Sequence, residues 1–283
     1  MTIKLLNVSK RIFINRFLIY FTFFTFCWLN PVLSQDEATK PRIVKTVVID
    51  AGHGGKDSGC SGKKAKEKDI ALSVALKVGE YIKENVPDVE VLYTREKDTF
   101  VELHERASFA NRNSADLFIS IHCNHSPASY VQGTETYVMG NDKSDANLEV
   151  ARRENSVVAL ETNYKDKYDG FNLDDPLSDI IFSLYQNSYR EQSLKFAQLI
   201  ENQFKNRAMR HSRGPKQESF LVLYKTNMPS VLIEIGFLSN KAEEQFLDSD
   251  IGQVLIGSAI YRAFKEYKAH WDSRAQNGIK KNQ

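Results

Sequence analysis

Residues Val47 to Gly55 read VVIDAGHGG, an apolar run that passes into a glycine-rich turn with one histidine. The apolar, β-branched residues before Asp50 are typical of a buried strand, and the glycines allow a sharp exit from it. The pattern therefore predicts that His53 projects from the end of a rigid strand. Taken alone, it leaves two interpretations open, a metal-ligating histidine and an ordinary loop histidine beside a turn.

Two later stretches repeat this arrangement. DLFISIH (116–122) is an apolar run that ends in His122, and VLIEIG (231–236) is an apolar run that contains Glu234. Strand ends that meet at one edge of an open α/β sheet form the usual ligand site of such folds. The three predicted strands therefore indicate one site that joins His53, His122 and Glu234.

Strand and helix patterns alternate along most of the chain and predict an α/β fold. We expect a single domain at 43–271, with a mostly parallel mixed sheet of about six strands flanked by helices. Predicted elements include a helix beginning near Asp69, strands around 89–94, 133–140 and 220–223, and a last helix at 251–271. Residues 141–188 interrupt the alternation and are predicted to be an inserted, largely helical segment. Residues 272–283 lack apolar periodicity and are predicted to be a flexible tail.

The N-terminus has the pattern of a secretory signal peptide over residues 1–34. Basic residues precede an apolar run at 17–29, and a small-residue pattern precedes Gln35. The run is shorter than the roughly 20 residues of a membrane span, which favours a cleaved signal peptide. An uncleaved anchor is the alternative. Residues 35–42 are predicted to be a linker. The chain is therefore expected to be exported, with membrane contact only through the leader.

Charge and cysteine content exclude two classes of function. The leader holds four basic and no acidic residues, so its removal changes the net charge from +2 to −2, and no nucleic-acid surface is predicted. Only Cys60 and Cys123 remain, with no C-x-x-C spacing, which excludes a thiolate zinc site. A disulfide between these two cysteines stays open as an alternative.

A catalytic zinc site needs three nitrogen or oxygen ligands and one open position. His53, His122 and Glu67 can supply this set, and Asp50 is a candidate partner for a ligand's other ring nitrogen. Glu234 lies in an apolar run, where burial raises the pKa of a carboxyl group toward the range of a general base. The alternative for Glu234 is a structural carboxylate paired with Arg95.

Several motifs, in order, resemble the zinc-dependent N-acetylmuramoyl-L-alanine amidases that cut peptidoglycan. They are DAGHGGKDSG (50–59), Glu67, Thr94-Arg95, Arg106 with Ala110-Asn111, DLFISIHCN (116–124), GTETY (133–137) and VLIEIGFLSN (231–240). The resemblance spans about residues 45–268. It implies one Zn²⁺ per chain on His53, Glu67 and His122, with Glu234 as catalytic base. The implied reaction is hydrolysis of the amide between N-acetylmuramic acid and L-alanine.

The inserted segment resembles that of family members that act in cell separation. There, a helical insertion covers the active site until a protein activator withdraws it, and a carboxylate of that helix can occupy the open metal position. Glu154 is the first candidate for this carboxylate and Glu161 the second. A surface excursion that binds glycan strands is the alternative. The resemblance thus implies peptidoglycan and an activator as partners, in the periplasm or at the cell wall.

Three other interpretations stay open. A zinc carboxypeptidase or endopeptidase would need a pocket for a substrate carboxylate, and no arginine can be assigned to one from the sequence. A non-catalytic wall-binding module would be expected to lack a ligand or the base, whereas all four positions are filled. Arg210, Arg213 and Lys216 either contact the acidic stem peptide or anionic wall polymers, or lie in a solvated loop.

Overall fold

The structure is a computed structural model that describes residues 43–140, 144–168 and 189–281. The predicted leader (1–34) and linker (35–42), and residues 169–188 of the predicted insertion, lie outside the described residues. None of the helices in the described ranges combines the length and the apolar character that a membrane span requires.

Six strands in the described ranges form one mixed sheet. They are β1 (Thr46–Ala51), β2 (Glu90–Tyr93), β3 (Leu117–Asn124), β4 (Thr134–Met139), β5 (Ser212–Glu218) and β6 (Ser230–Phe237). Their order is β2-β1-β3-β6-β4-β5. Strands β2, β1, β3 and β6 are parallel, β4 is antiparallel to β6, and β5 is parallel to β4. The predicted α/β fold with a mostly parallel, six-stranded mixed sheet is confirmed.

Helices cover both faces of this sheet. They are α1 (Glu67–Asn85), α2 (Leu103–Arg112), α3 (Asp145–Asn155), α4 (Tyr164–Lys167), α5 (Arg190–Asn206), α6 (Lys241–Leu247) and α7 (Asp250–Lys281), and a 3₁₀ turn spans Ser156–Leu160. Successive strand residues point to opposite faces. Val47 and Ile49 therefore enter a core with α1, α5 and α7, whereas Val48 enters a second core with α2 and α3.

The fifth strand lies where the sequence predicts a basic loop. Residues 212–218 pair with β4, whereas the predicted strand at 220–223 forms a buried turn. β5 is an edge strand, and edge strands tolerate charged residues and proline because one side of their backbone needs no partner. Apolar alternation therefore does not reveal this strand, because it contains Pro215 and basic residues.

The last helix continues to Lys281, ten residues beyond the predicted end at Trp271. The segment predicted as a flexible tail at 272–283 is helical over its described part, 272–281. Asp272 accepts a hydrogen bond from the Val44 amide (2.9 Å) and pairs with Lys268 one turn earlier (2.7 Å). These polar contacts, which leave no apolar signal in the sequence, tie this part of the helix to the segment that leads into β1.

Candidate metal centre

The ends of three parallel strands meet at one edge of the sheet. His122 on β3 lies opposite Glu234 on β6, and His53 follows the last residue of β1. All three side chains are buried. The structure therefore brings together the three residues that the strand-end argument places in one site.

Glu67 reaches the same place from the start of α1. The helix begins at Glu67 itself, two residues before the predicted cap at Asp69. Its carboxylate accepts one hydrogen bond from the Cys60 amide at Oε2 and another from the Cys123 amide at Oε1, both 2.8 Å long. These two bonds fix the carboxylate beside the histidines.

Four side chains direct one ligand atom each toward a common point. Glu67 Oε1 lies 3.0 Å from both His53 Nε2 and His122 Nδ1. Glu154 Oε2 lies 3.2 Å from His53 Nε2 and 3.1 Å from His122 Nδ1, and the two nitrogens are 3.2 Å apart. These four residues form a buried group that could hold a metal ion; we call them the metal cluster.

The donor atoms fit a tetrahedral ion. Ligands at 2.0–2.1 Å from a tetrahedral centre are separated by about 3.3 Å, close to the spacings in the metal cluster. Glu154 Oε2 accepts no hydrogen bond of normal geometry from any described residue, although it is fully buried. Burial lowers the pKa of His122, but the carboxylates of Glu154 and Glu67 outweigh burial and raise it to about 9. A cation at the common point would satisfy all four atoms.

Asp57, and not Asp50, orients the first histidine. His53 Nδ1 donates a hydrogen bond to Asp57 Oδ2 (2.7 Å), which places the proton on Nδ1 and leaves the Nε2 lone pair for a ligand. Asp50 is the candidate for this role from the sequence. Asp50 instead accepts bonds from Arg106, Thr94 and Ser120, because its side chain points from β1 into the layer between the sheet and α2.

Two buried arginines hold the glycine-rich turn. Arg95 donates to the carbonyls of Ala51 and Gly52, and Arg106 donates to those of Ala51 and His53. Asp50 neutralises Arg106 at 2.8 Å. The effect of Asp50 on His53 is therefore exerted through the backbone, and Arg95 is not a partner of Glu234.

Two glycines in this turn are required by close approach to the metal cluster. A Cβ atom on Gly52 would lie 2.4 Å from the His122 ring. Gly59 has φ +63°, and a Cβ there would lie 2.5 Å from Glu67 Oε2. Any larger residue would displace a side chain of the cluster.

Glu234 is completely buried beside the metal cluster. Burial, together with the negative charge of Glu154, raises the pKa of Glu234 well above its usual range. Oε1 lies 3.3 Å from Arg153 Nη2, whereas Oε2 is without a hydrogen-bond partner in the described part of the chain. One oxygen of a carboxyl group that readily takes up a proton is thus unpaired at the site.

The last turn of α3 covers the metal cluster. Glu154 occupies one side of the cluster, and the neighbouring Arg153 pairs with both carboxylates, at 2.9 Å from Glu154 and 3.3 Å from Glu234. Arg153 also donates to Asn124 Oδ1 and to the His125 carbonyl at 3.1 Å each. Arg153 is not predicted from the sequence, since an arginine next to a candidate ligand resembles an ordinary surface charge.

Glu161, the second candidate for the inserted carboxylate, is not at the metal cluster. Its Oε1 accepts hydrogen bonds from the Leu103 amide (2.7 Å) and from Tyr168 (3.0 Å), so it caps the start of α2. It joins Glu102 and His104 in a separate group. The turn after α3 carries Glu161 away from the sheet edge that holds His53 and His122.

Both cysteines of the described chain are free. Cys60 Sγ donates to the backbone carbonyl of Cys123 at 3.1 Å. The alternative of a disulfide between them is therefore not realised.

In a comparison with known proteins, residues 47–266 match the model of the family described as N-acetylmuramoyl-L-alanine amidase. The chain is 31% identical to the N-acetylmuramoyl-L-alanine amidase AmiA of Escherichia coli (strain K12) over 239 residues, which cover 84% of this chain and 81% of AmiA.

Solved structures give the same result. The catalytic domain of CwlV, an N-acetylmuramoyl-L-alanine amidase from Bacillus (Paenibacillus) polymyxa var. colistinus, is 33% identical with a TM-score of 0.57, and the match covers 79% of this chain and 98% of CwlV. The CwlD amidase from Clostridioides difficile, solved in complex with the GerS lipoprotein, is 26% identical with a TM-score of 0.59 over 80% of this chain and 98% of CwlD.

Proposed function

This chain belongs to the N-acetylmuramoyl-L-alanine amidase family, and we propose that it cleaves peptidoglycan with one zinc ion held by His53, Glu67 and His122. The reaction is hydrolysis of the amide between N-acetylmuramic acid and the L-alanine of the stem peptide. The observation that carries the zinc proposal is the convergence of four buried nitrogen and oxygen atoms: each carboxylate oxygen lies 3.0–3.2 Å from both histidine nitrogens, which are 3.2 Å apart.

The metal ligands and Glu234 have separate roles in the proposed hydrolysis. A zinc ion, when bound, would polarise the scissile carbonyl and lower the pKa of a water molecule. Glu234, opposite His122, takes the proton of the attacking water through its unpaired oxygen and returns it to the departing alanine nitrogen. Its apolar strand surroundings keep its proton affinity high enough for both steps.

We propose that α3 holds the enzyme in an inhibited state. A catalytic zinc site keeps one position open, whereas a fourth protein ligand closes it. Glu154 supplies such a fourth atom, and Arg153 pairs with the base. A protein activator that withdraws α3 would remove both contacts together. The complex of the related CwlD with a lipoprotein supports a protein partner of this kind.

The sequence supports an extracytoplasmic site of action. The signal-peptide pattern at 1–34 leads us to propose export to the periplasm or to the cell wall. An exported amidase that is inactive until a partner arrives is suited to cell-wall remodelling or to the separation of daughter cells.

Metal analysis of the purified protein tests the zinc proposal. We expect about one zinc per chain, and His122→Ala combined with Glu154→Ala is expected to lose it, because His53 and Glu67 alone fall short of the three protein ligands of a zinc site. Asp57→Asn is expected to weaken zinc affinity roughly tenfold through the orientation of His53. Elemental analysis and chelator competition measure both effects.

Asp88→Asn is the matched control, since Asp88 is an exposed carboxylate that precedes β2 and pairs with Lys268 at the other end of the sheet. Zinc content and affinity should be unchanged in it. A protein that binds no zinc, or that binds it equally well after His122→Ala and Glu154→Ala together, would refute the proposed ligand set.

A further inference from the structure

A cleft beside Glu234 carries two cations that the proposed reaction does not use. Its walls come from β4, β5, the loop after β3 and α3, and Arg153 lies where the cleft meets the metal cluster. Arg213 and Lys216 of β5 line the opposite side. Both belong to the segment for which the sequence leaves contact with an acidic peptide and a solvated loop as alternatives.

Glu135 anchors the two cations next to the base. It lies opposite Glu234 in the pairing of β4 with β6, and it accepts bonds from Arg213 Nε (2.6 Å) and Lys216 Nζ (2.8 Å). Asn124 and Tyr137 also donate to it, at 3.0 and 2.7 Å. One buried carboxylate thus holds two cations in place, and since the other carboxylate of the cleft wall, Glu149, belongs to α3, one positive charge is in excess when α3 is withdrawn.

Arg213 has donors available for a ligand. Its side chain is 35% exposed, and only Nε is bonded to Glu135. Within the described residues, neither Nη group has an acceptor. A guanidinium group with both terminal NH2 groups unoccupied is suited to a planar carboxylate.

Helix α3 of the inserted segment lies over this cleft, where a substrate peptide would bind. Asn147 Oδ1 accepts a hydrogen bond from Lys216 Nζ at 3.1 Å, while Glu154, two turns later on α3, reaches the metal cluster. Seven residues of helix span about 10 Å. An extended chain covers that length in about three units. When the lactyl group counts as the first unit, the third is the second residue of the stem peptide, whose carboxylate would reach Lys216.

We propose that Arg213 and Lys216 bind a carboxylate on the peptide side of the scissile amide, and that Asn147 covers this subsite while α3 is docked. The inference rests on the proposed function and specifies its substrate as a stem peptide whose second residue keeps a free carboxylate. A stem peptide in which that group is amidated would be a poorer substrate, because the excess positive charge would have no partner.

The test compares two synthetic substrates in the full chain carrying Glu154→Ala. One is N-acetylmuramoyl-L-alanyl-γ-D-glutamyl-lysine, and the other carries the amide in place of the free glutamyl carboxylate. We expect about a tenfold preference in kcat/KM for the free acid, mainly through KM. Lys216→Met and Arg213→Gln should each bring the ratio close to one. Either variant leaves Glu135 with three donors, so the fold is retained.

Lys205→Met, which removes an exposed charge on α5, is the control and should keep the preference. Equal cleavage of both substrates, or a preference that survives both β5 variants, would overturn the subsite. If neither substrate is cleaved, the proposed function fails instead. The subsite is then decided by calorimetry with L-alanyl-γ-D-glutamate and its amide: tighter binding of the acid that Lys216→Met abolishes supports it, and equal binding overturns it.

Discussion

Glu234→Gln is expected to lower kcat by about 10³-fold, the loss typical of a general base. Glutamine keeps the shape of the side chain and its contact with Arg153 but cannot accept a proton. Glu234 is paired with His122 across the strands but is not one of the four residues of the metal cluster. The zinc content of the variant should therefore equal that of the unchanged protein. Turnover of a muramoyl peptide in the Glu154→Ala background, with parallel metal analysis, measures both quantities.

Glu201→Gln is the matched control for this experiment. Glu201 is also a buried carboxylate, but it accepts bonds from Thr134, Thr136 and Ser212 away from the metal cluster. Its substitution should leave kcat within about twofold, since no reacting group depends on it. A Glu234→Gln enzyme with nearly full kcat would exclude Glu234 as the base, and one without zinc would make it a ligand.

Glu154→Ala should raise the activity of the intact chain roughly 100-fold. The docked state is held by two charge-assisted contacts, Glu154 with the metal cluster and Arg153 with Glu234. Each contact of this kind is worth about 1.5–3 kcal/mol, and loss of the first corresponds to a 10- to 150-fold change in equilibrium. The rate of stem-peptide release from purified peptidoglycan, without any activator, measures the effect.

Glu149→Ala provides the comparison within the same helix. Glu149 is an exposed carboxylate of α3 that lines the cleft but is not part of the metal cluster. Its removal should leave the basal rate low. Equal activation by both substitutions would mean that α3 acts through general charge or folding, and the absence of activation by Glu154→Ala would exclude inhibition through the open metal position.

The sequence predicts the site residues that lie at strand ends, but it does not determine the contacts of residues in loops and turns. His53, His122 and Glu234 lie in or directly after apolar strands, and parallel topology brings such positions to one edge. Glu67 is a possible ligand by its chemistry, and the family resemblance implies its role and that of Glu154, which both come from other parts of the chain. The sequence does not determine the orienting aspartate, because Asp50 and Asp57 flank His53 almost equally and only the turn geometry decides which of them reaches Nδ1.

The polar edge strand of the sheet and its contacts are also not predicted from the sequence. β5 carries proline and basic residues, so apolar alternation does not detect it, and the partnership of Glu135 with Arg213 and Lys216 was hidden with it. Arg153 and Asn147 were missed for a related reason. Their partners lie on β3, β5 and β6, and a contact between an inserted helix and distant strands leaves no periodic pattern in the chain.

The most direct test of the account is product analysis of purified peptidoglycan treated with the Glu154→Ala protein. Mass spectrometry should show released peptides with a free N-terminal L-alanine and glycan strands whose lactyl groups end in a newly formed free carboxylate. A chelator should abolish release, and added zinc should restore it. Cleavage at another bond, release that the chelator does not affect, or no release by the zinc-loaded protein would contradict a zinc amidase built on His53, Glu67 and His122.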